Sequence, residues 1–203
     1  FSLSGNVFVR SFCMLLIYTG FTFLAAKYGD TLLAVATIMM KLLLLYGYIV
    51  DGFAYAGEAL VGKYIGAEDK KSLMLSIRYL FIWGVGVGVL STVAYIVGDQ
   101  WLLRLMTSTR EVIDAAQPFL PWLYGMPFIS CLTFMWDGIY IGATAGPAMR
   151  NTMLIAVAVF YICYFSLMGP LGIQALWIGY AAHLVSRSIA QTAMARKYVF
   201  NKV

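Results

Sequence analysis

Three acids stand inside strongly apolar stretches of this chain: Asp51, Glu58 and Asp137, the last in the run FMWDGIYIGATAG at 134–146. A charge at the centre of a bilayer costs roughly 2.5 to 3.5 kcal/mol on insertion scales, so such residues face a protein interior or a water-filled cavity. A carboxylate balanced between burial and a nearby cation can take up and release a proton. It can also hold Na⁺ with hydroxyl and carbonyl partners. Asp137, Asp51 and Glu58 are therefore candidates for proton or cation coupling, and Na⁺ at Asp137 is the one metal option. The rival reading is a structural polar network or ion pair. Arg10 lies about as deep as Glu58 and is its expected partner, with Arg187 as a second choice. Lys41 is either the counter-ion of a membrane carboxylate or a side chain that snorkels outward.

Spacing groups these residues. Tyr48, Asp51, Tyr55, Glu58 and Gly62 recur at three- and four-residue steps, which puts them on one helical face. Ser130, Thr133, Asp137 and Tyr140 do the same. Both stripes are expected to face the bundle interior, with Tyr48, Tyr55, Ser130, Thr133 and Tyr140 lining a cavity. Met126, Phe128, Phe134 and Met135 supply adaptable walls suited to an organic cation, or simply packing.

The elements that carry these stripes must cross a membrane. Of the 203 residues, 62% are apolar and only 11% charged, against roughly 25% charged in soluble domains. About 20 apolar helical residues span a bilayer core. Six segments qualify, near 6–26, 33–61, 73–97, 118–141, 149–168 and 173–194. Strand alternation is absent over any of them, so the fold class is an all-α membrane protein. The first segment has no charged leader or small-residue cleavage site and reads as a span, not a signal peptide. Pro118, Pro121 and Pro127 mark the fourth span for bending. Before it, Ser108 and Glu111 fit a capping box that opens a short surface helix.

Basic residues set a direction. Arg10, Lys63, Lys70, Lys71, Arg78, Arg150, Arg187, Arg196, Lys197 and Lys202 fall toward one side, and Lys27, Arg104 and Arg110 toward the other. That bias predicts cytoplasmic termini in a cell (inner or plasma) membrane. The net charge of +5 then faces anionic lipid headgroups. No basic run with interleaved aromatics suggests nucleic acid. Cys13, Cys131 and Cys163 read as free buried thiols. His183 is a packing residue or a proton carrier. With no nucleophile–base pair and no HExxH, the chain does not read as an enzyme, and no cofactor is expected.

Two stretches resemble the multidrug and toxic compound extrusion (MATE) transporters, most of all their DinF-type branch. The first is Asp51-Gly52-Phe53-Ala54-Tyr55-Ala56 with Glu58 through Gly62 and Ile65-Gly66-Ala67. The second is Asp137-Gly138, Ile141-Gly142-Ala143-Thr144 and Met149-Arg150-Asn151. Asn6, Arg10 and Leu33-Ala34-Val35 fit as well. The resemblance implies one six-helix lobe, the C-terminal one, of a twelve-helix transporter that exchanges H⁺ or Na⁺ for small organic, often cationic, compounds by alternating access. It implies a missing N-terminal lobe as partner, in keeping with a chain that begins at Phe1. In that family pattern Asp137 matches an acidic residue linked to cation binding in some branches. Two other readings remain: a flippase of lipid-linked oligosaccharides, which would line its cavity with basic residues, and a non-transporting membrane scaffold.

Overall fold

A computed structural model describes residues 3–202 of the chain. Seven α-helices follow in order: α1 (Leu3–Ala25), α2 (Asp30–Gly66), α3 (Lys70–Met106), α4 (Arg110–Ala116), α5 (Leu120–Gly142), α6 (Gly146–Leu171) and α7 (Gln174–Tyr198), with short 3-10 turns after α1, α4 and α7. No strand occurs among the described residues. Four of these helices, α1, α2, α3 and α6, are long and apolar enough to cross a membrane, and so is the stretch Arg110–Gly142 that runs through α4 into α5. The sixth expected span, α7, is 25 residues long but less apolar. It carries His183, Arg187, Ser188 and Gln191 into the protein interior.

The helices α2 and α3 are each 37 residues, about 55 Å at 1.5 Å per residue. They overrun the expected spans at both ends. Charges such as Lys63 and Arg104 end an apolar run, but they do not stop the backbone from continuing its hydrogen bonds. The turn between these helices is short. Asp69 caps α3 by accepting from the Ser72 amide at 3.0 Å, and the Ser72 side chain together with that amide holds its carboxyl below the usual carboxylate range. The surface helix before the fourth span is present as α4, but its cap is corrected. Thr109 is the N-cap and makes no side-chain capping bond. The capping box fails because Glu111 is engaged elsewhere, accepting from the Thr31 hydroxyl at 2.7 Å.

At the centre stands α5, against α2 and α3 on one side and α7 on the other, while α6 packs on α7 and α1. The buried face of α2 is Leu42, Leu43, Tyr46, Gly47, Val50, Ala54, Gly57 and Val61. Two glycines of α5 set how close it comes. A Cβ on Gly138 would collide with the Ala54 carbonyl, and one on Gly142 with the Glu58 carbonyl. Small residues at i and i+4 let the backbones touch, as in membrane helix pairs generally. Of the three prolines expected to bend the fourth span, only Pro127 is interior to α5; Pro121 lies in its first turn and Pro118 in the turn before. The Pro127 carbonyl accepts from the Tyr46 hydroxyl at 2.9 Å.

The loops at each end are tied to one another. At one end Lys202 donates to the Ala143 carbonyl and, at 3.2 Å, to the Thr144 hydroxyl. At the other, Trp122 donates to Gln174 at 2.8 Å and the Tyr28 and Tyr164 hydroxyls lie 3.3 Å apart.

Candidate functional site

The α5 stripe faces inward along its whole length. Ser130, Thr133, Asp137 and Tyr140 are all buried, and three of them meet α7. The Thr133 and Ser188 hydroxyls are 2.5 Å apart. The Tyr140 hydroxyl donates to the Gln191 carbonyl at 2.6 Å. On the neighbouring face, the Trp136 indole donates to Thr192 at 2.9 Å. A helix pair in an apolar medium gains no hydrophobic drive from lipid, so such bonds and close packing hold it together.

Asp137 is the hub. It is 7% exposed, and three donor groups converge on it in four hydrogen bonds. Arg187 donates through Nη2 to both carboxylate oxygens at 2.5 Å. The Gln191 amide reaches Oδ1 at 2.8 Å, and Arg10 Nη2 reaches Oδ2 at 2.9 Å. The aspartate thus joins α1, α5 and α7 in one ion-paired cluster, Arg10–Asp137–Arg187. Leaving any one of these charges buried without its partners would cost several kcal/mol. With both oxygens bonded to cationic or amide donors, this state has no oxygen cage for Na⁺ at Asp137.

This arrangement corrects two pairings. Arg10 bonds Asp137 and not Glu58. The reason is register: Arg10 on α1 meets the inward face of α5, while Glu58 sits half-buried on the flank of α2. Lys41 forms no ion pair among the described residues. It is exposed on α2, as are Leu45 and Tyr48.

The α2 stripe is also corrected. Tyr48 and Tyr55 are 66% and 68% exposed and do not face the interior of this bundle. Period placed the stripe on one face, but α2 uses the adjacent face to pack on α3 and α5. Asp51 and Glu58 lie at the boundary. They are half-buried and, with Tyr55, line a cleft of about 250 Å³ whose other wall is Arg10, Asp137 and Gly138. Neither acid has an ion-pair partner among the described residues. Asp51 also borders a second cavity of about 160 Å³, walled by Met14, Tyr18, Met40, Ser130 and Phe134 among others. Of the remaining proposed walls, Met126 lines this second cavity as well, Met135 and Tyr140 are packing residues, at most 1% exposed, and Phe128 points outward.

Sequence reasoning missed Gln191 and Ser188 altogether and did not join Arg187 to Asp137. A signal was there: His183, Arg187 and Gln191 recur at four-residue steps on an otherwise apolar helix. His183 is 5% exposed, and its Nδ1 has no hydrogen-bond partner. Among the described residues no group of three His, Cys, Asp or Glu side chains could hold a metal.

These features define a membrane-type helical bundle with a charged hub and an acid-lined cleft beside it. The MatE family model matches residues 7–167. The chain is 32% identical over 197 residues to DNA damage-inducible protein F of Escherichia coli (strain K12), which covers 97% of this chain and 43% of that protein. It is 26% identical over 189 residues to Protein DETOXIFICATION 42 of Arabidopsis thaliana, covering 93% and 36%. Its fold is similar to a MATE crystal structure in the bent conformation (TM-score 0.85, 16% identity, 99% of this chain and 45% of the other). It is also similar to an outward-facing multidrug resistance MATE family transporter (TM-score 0.73, 16% identity, 98% and 44%). The chain belongs to the MatE family, and it spans less than half the length of the curated relatives it matches.

Proposed function

We propose that this chain acts as one six-helix lobe, the C-terminal one, of a transporter that exports small organic cations in exchange for H⁺ or Na⁺. Alternating access would expose its cleft to one side of the membrane and then the other. Family membership supports transport rather than catalysis. The observation that carries the reading is the cleft in which Asp51 and Glu58 stand without ion-pair partners among the described residues. Two unpaired carboxylates at the edge of a low-dielectric wall attract a cation, organic or coupling. The neighbouring cavity of methionine and aromatic side chains offers apolar contact and ring faces to the rest of such a molecule.

In this scheme the three acids divide their work. Asp51 and Glu58 receive the coupling ion or the substrate. Asp137 transmits its presence, because it lines the cleft and is bonded to α1 beside it and to α7 behind it. A cation drives a conformational change only by the difference in its affinity for the two states. The second lobe would close the cavity against the exposed Tyr48 and Tyr55 of α2. The ten-to-three bias of basic residues supports cytoplasmic termini.

The test is efflux in cells and in vesicles carrying an imposed H⁺ or Na⁺ gradient. Asp51→Asn and Asp137→Asn are each expected to insert normally and to lose gradient-driven export of an organic cation such as ethidium. Wild-type export rates in both variants would sink the coupling role of these residues.

A further inference from the structure

The four bonds at Asp137 are unequal. Arg187 alone reaches both oxygens, and Gln191 adds a third bond. Arg10 makes one bond, to Oδ2, at 2.9 Å. Its side chain is 16% exposed against 4% for Arg187. The Nε of each arginine is buried without a partner, so the difference lies in the bonds to Asp137 and in exposure. Arg10 is thus the loosely held member of the cluster, and Asp137 keeps a neutralising guanidinium when Arg10 leaves.

The place for it to go is adjacent. Arg10 lines the same cleft as Asp51 and Glu58. Neither of these acids has an ion-pair partner among the described residues, whereas Arg10 has unused donors. The helix that carries Arg10 is lightly held on the cleft side: it packs mainly on α6 and only lightly on α2 and α7.

We propose that Arg10 is an internal cation that exchanges between Asp137 and the Asp51–Glu58 pair, and so competes with the transported cation for the cleft. With Arg10 on Asp137, as here, the acid pair is open to a cation. With Arg10 on the pair, the cleft is neutralised from within and the bound cation is released. This makes Arg10 a specificity-determining residue of the cation site, and it rests on the reading of that cleft given above.

The exchange predicts opposite signs for two substitutions and a rescue. Asp137→Asn frees Arg10 to occupy the pair, so binding of tetraphenylphosphonium to the purified protein is expected to weaken about tenfold. Adding Arg10→Gln removes the competitor and restores affinity to the wild-type level or better. Arg10→Gln alone tightens binding. If the Asp137→Asn loss persists in the double variant, Asp137 itself contacts the cation and the exchange is overturned. A ligand-free measurement runs beside it: a double-mutant cycle on thermal unfolding between Arg10 and Asp51, and between Arg10 and Glu58, in the Asp137→Asn background. Favourable coupling of Arg10 with either acid supports the exchange, and zero coupling with both overturns it. If the wild-type protein does not bind tetraphenylphosphonium, the organic-cation reading of the cleft fails, and the ligand-free cycle still decides whether Arg10 changes partners.

Discussion

A buried carboxylate bonded by two guanidiniums is stable only as a set. Asp137 offers two oxygens and Arg187 uses both, so these two residues form the core of the cluster. Substituting Arg187→Met leaves Asp137 with Arg10 and Gln191 alone and removes the larger share of its compensation. The expected loss is about 3 to 5 kcal/mol, read as a fall in the thermal unfolding midpoint of detergent-solubilised protein. Arg187→Lys keeps the charge but loses the planar fork, and an intermediate fall is expected. A midpoint unchanged in Arg187→Met would mean that the cluster contributes nothing to holding α7 against α5. The spacing rule placed Asp137 on an inward face correctly. It did not show that the partners come from α1 and α7, because a partner 127 or 50 residues away leaves no local trace. The expected Arg10–Glu58 pair failed for the same reason. Similar depth is necessary for pairing, but the rotation of each helix about its axis decides it.

At the level of elements, the contact between α2 and α5 rests on glycine. Gly138 and Gly142 admit the Ala54 and Glu58 carbonyls where no Cβ would fit. That approach also brings the Asp51–Glu58 flank beside Asp137 to form the cleft. Gly138→Leu is expected to push the two helices apart, destabilise by about 1 to 3 kcal/mol and widen the cleft. Loss of cation binding together with a lowered unfolding midpoint checks it, and wild-type behaviour refutes it. The turn between α5 and α6 behaves in the opposite way. Thr144 there has φ +51°, a left-handed conformation that a β-branched residue adopts only at a cost. Thr144→Gly removes that strain and is expected to stabilise the protein by roughly 1 kcal/mol, less whatever its hydroxyl contact with Lys202 contributes. A lower midpoint in this variant would show that the Lys202–Thr144 contact outweighs the strain. The DG and IGAT stretches of the sequence therefore carry packing and turn geometry next to the acid, which a reading centred on Asp137 alone does not reveal.

For the whole molecule, the surface divides unevenly. Much of α1, α3 and α6 is exposed and apolar, as lipid requires, while α7 directs its polar residues inward. Tyr48 and Tyr55 stand exposed on α2, and Tyr55 lines the acid-lined cleft. A green fluorescent protein fused after Val203 is expected to fluoresce in cells, and alkaline phosphatase at the same point to stay inactive, since both report a cytoplasmic C-terminus. The reverse pattern would overturn the orientation drawn from the basic residues. The all-helical class, the number of long helices and the acids worth testing were all legible in composition and period. Lipid demands about 20 apolar residues per crossing and makes any charge among them conspicuous. Helix ends were less legible, and α3 runs nine residues past its expected end to Met106, because hydrogen bonding continues past the last apolar residue. What the tertiary structure alone decided is which charges meet. Helical period defines a face but not what lies opposite, so only the packed bundle reveals that Asp137 is held by Arg10 and Arg187 while Asp51 and Glu58 are left open beside it.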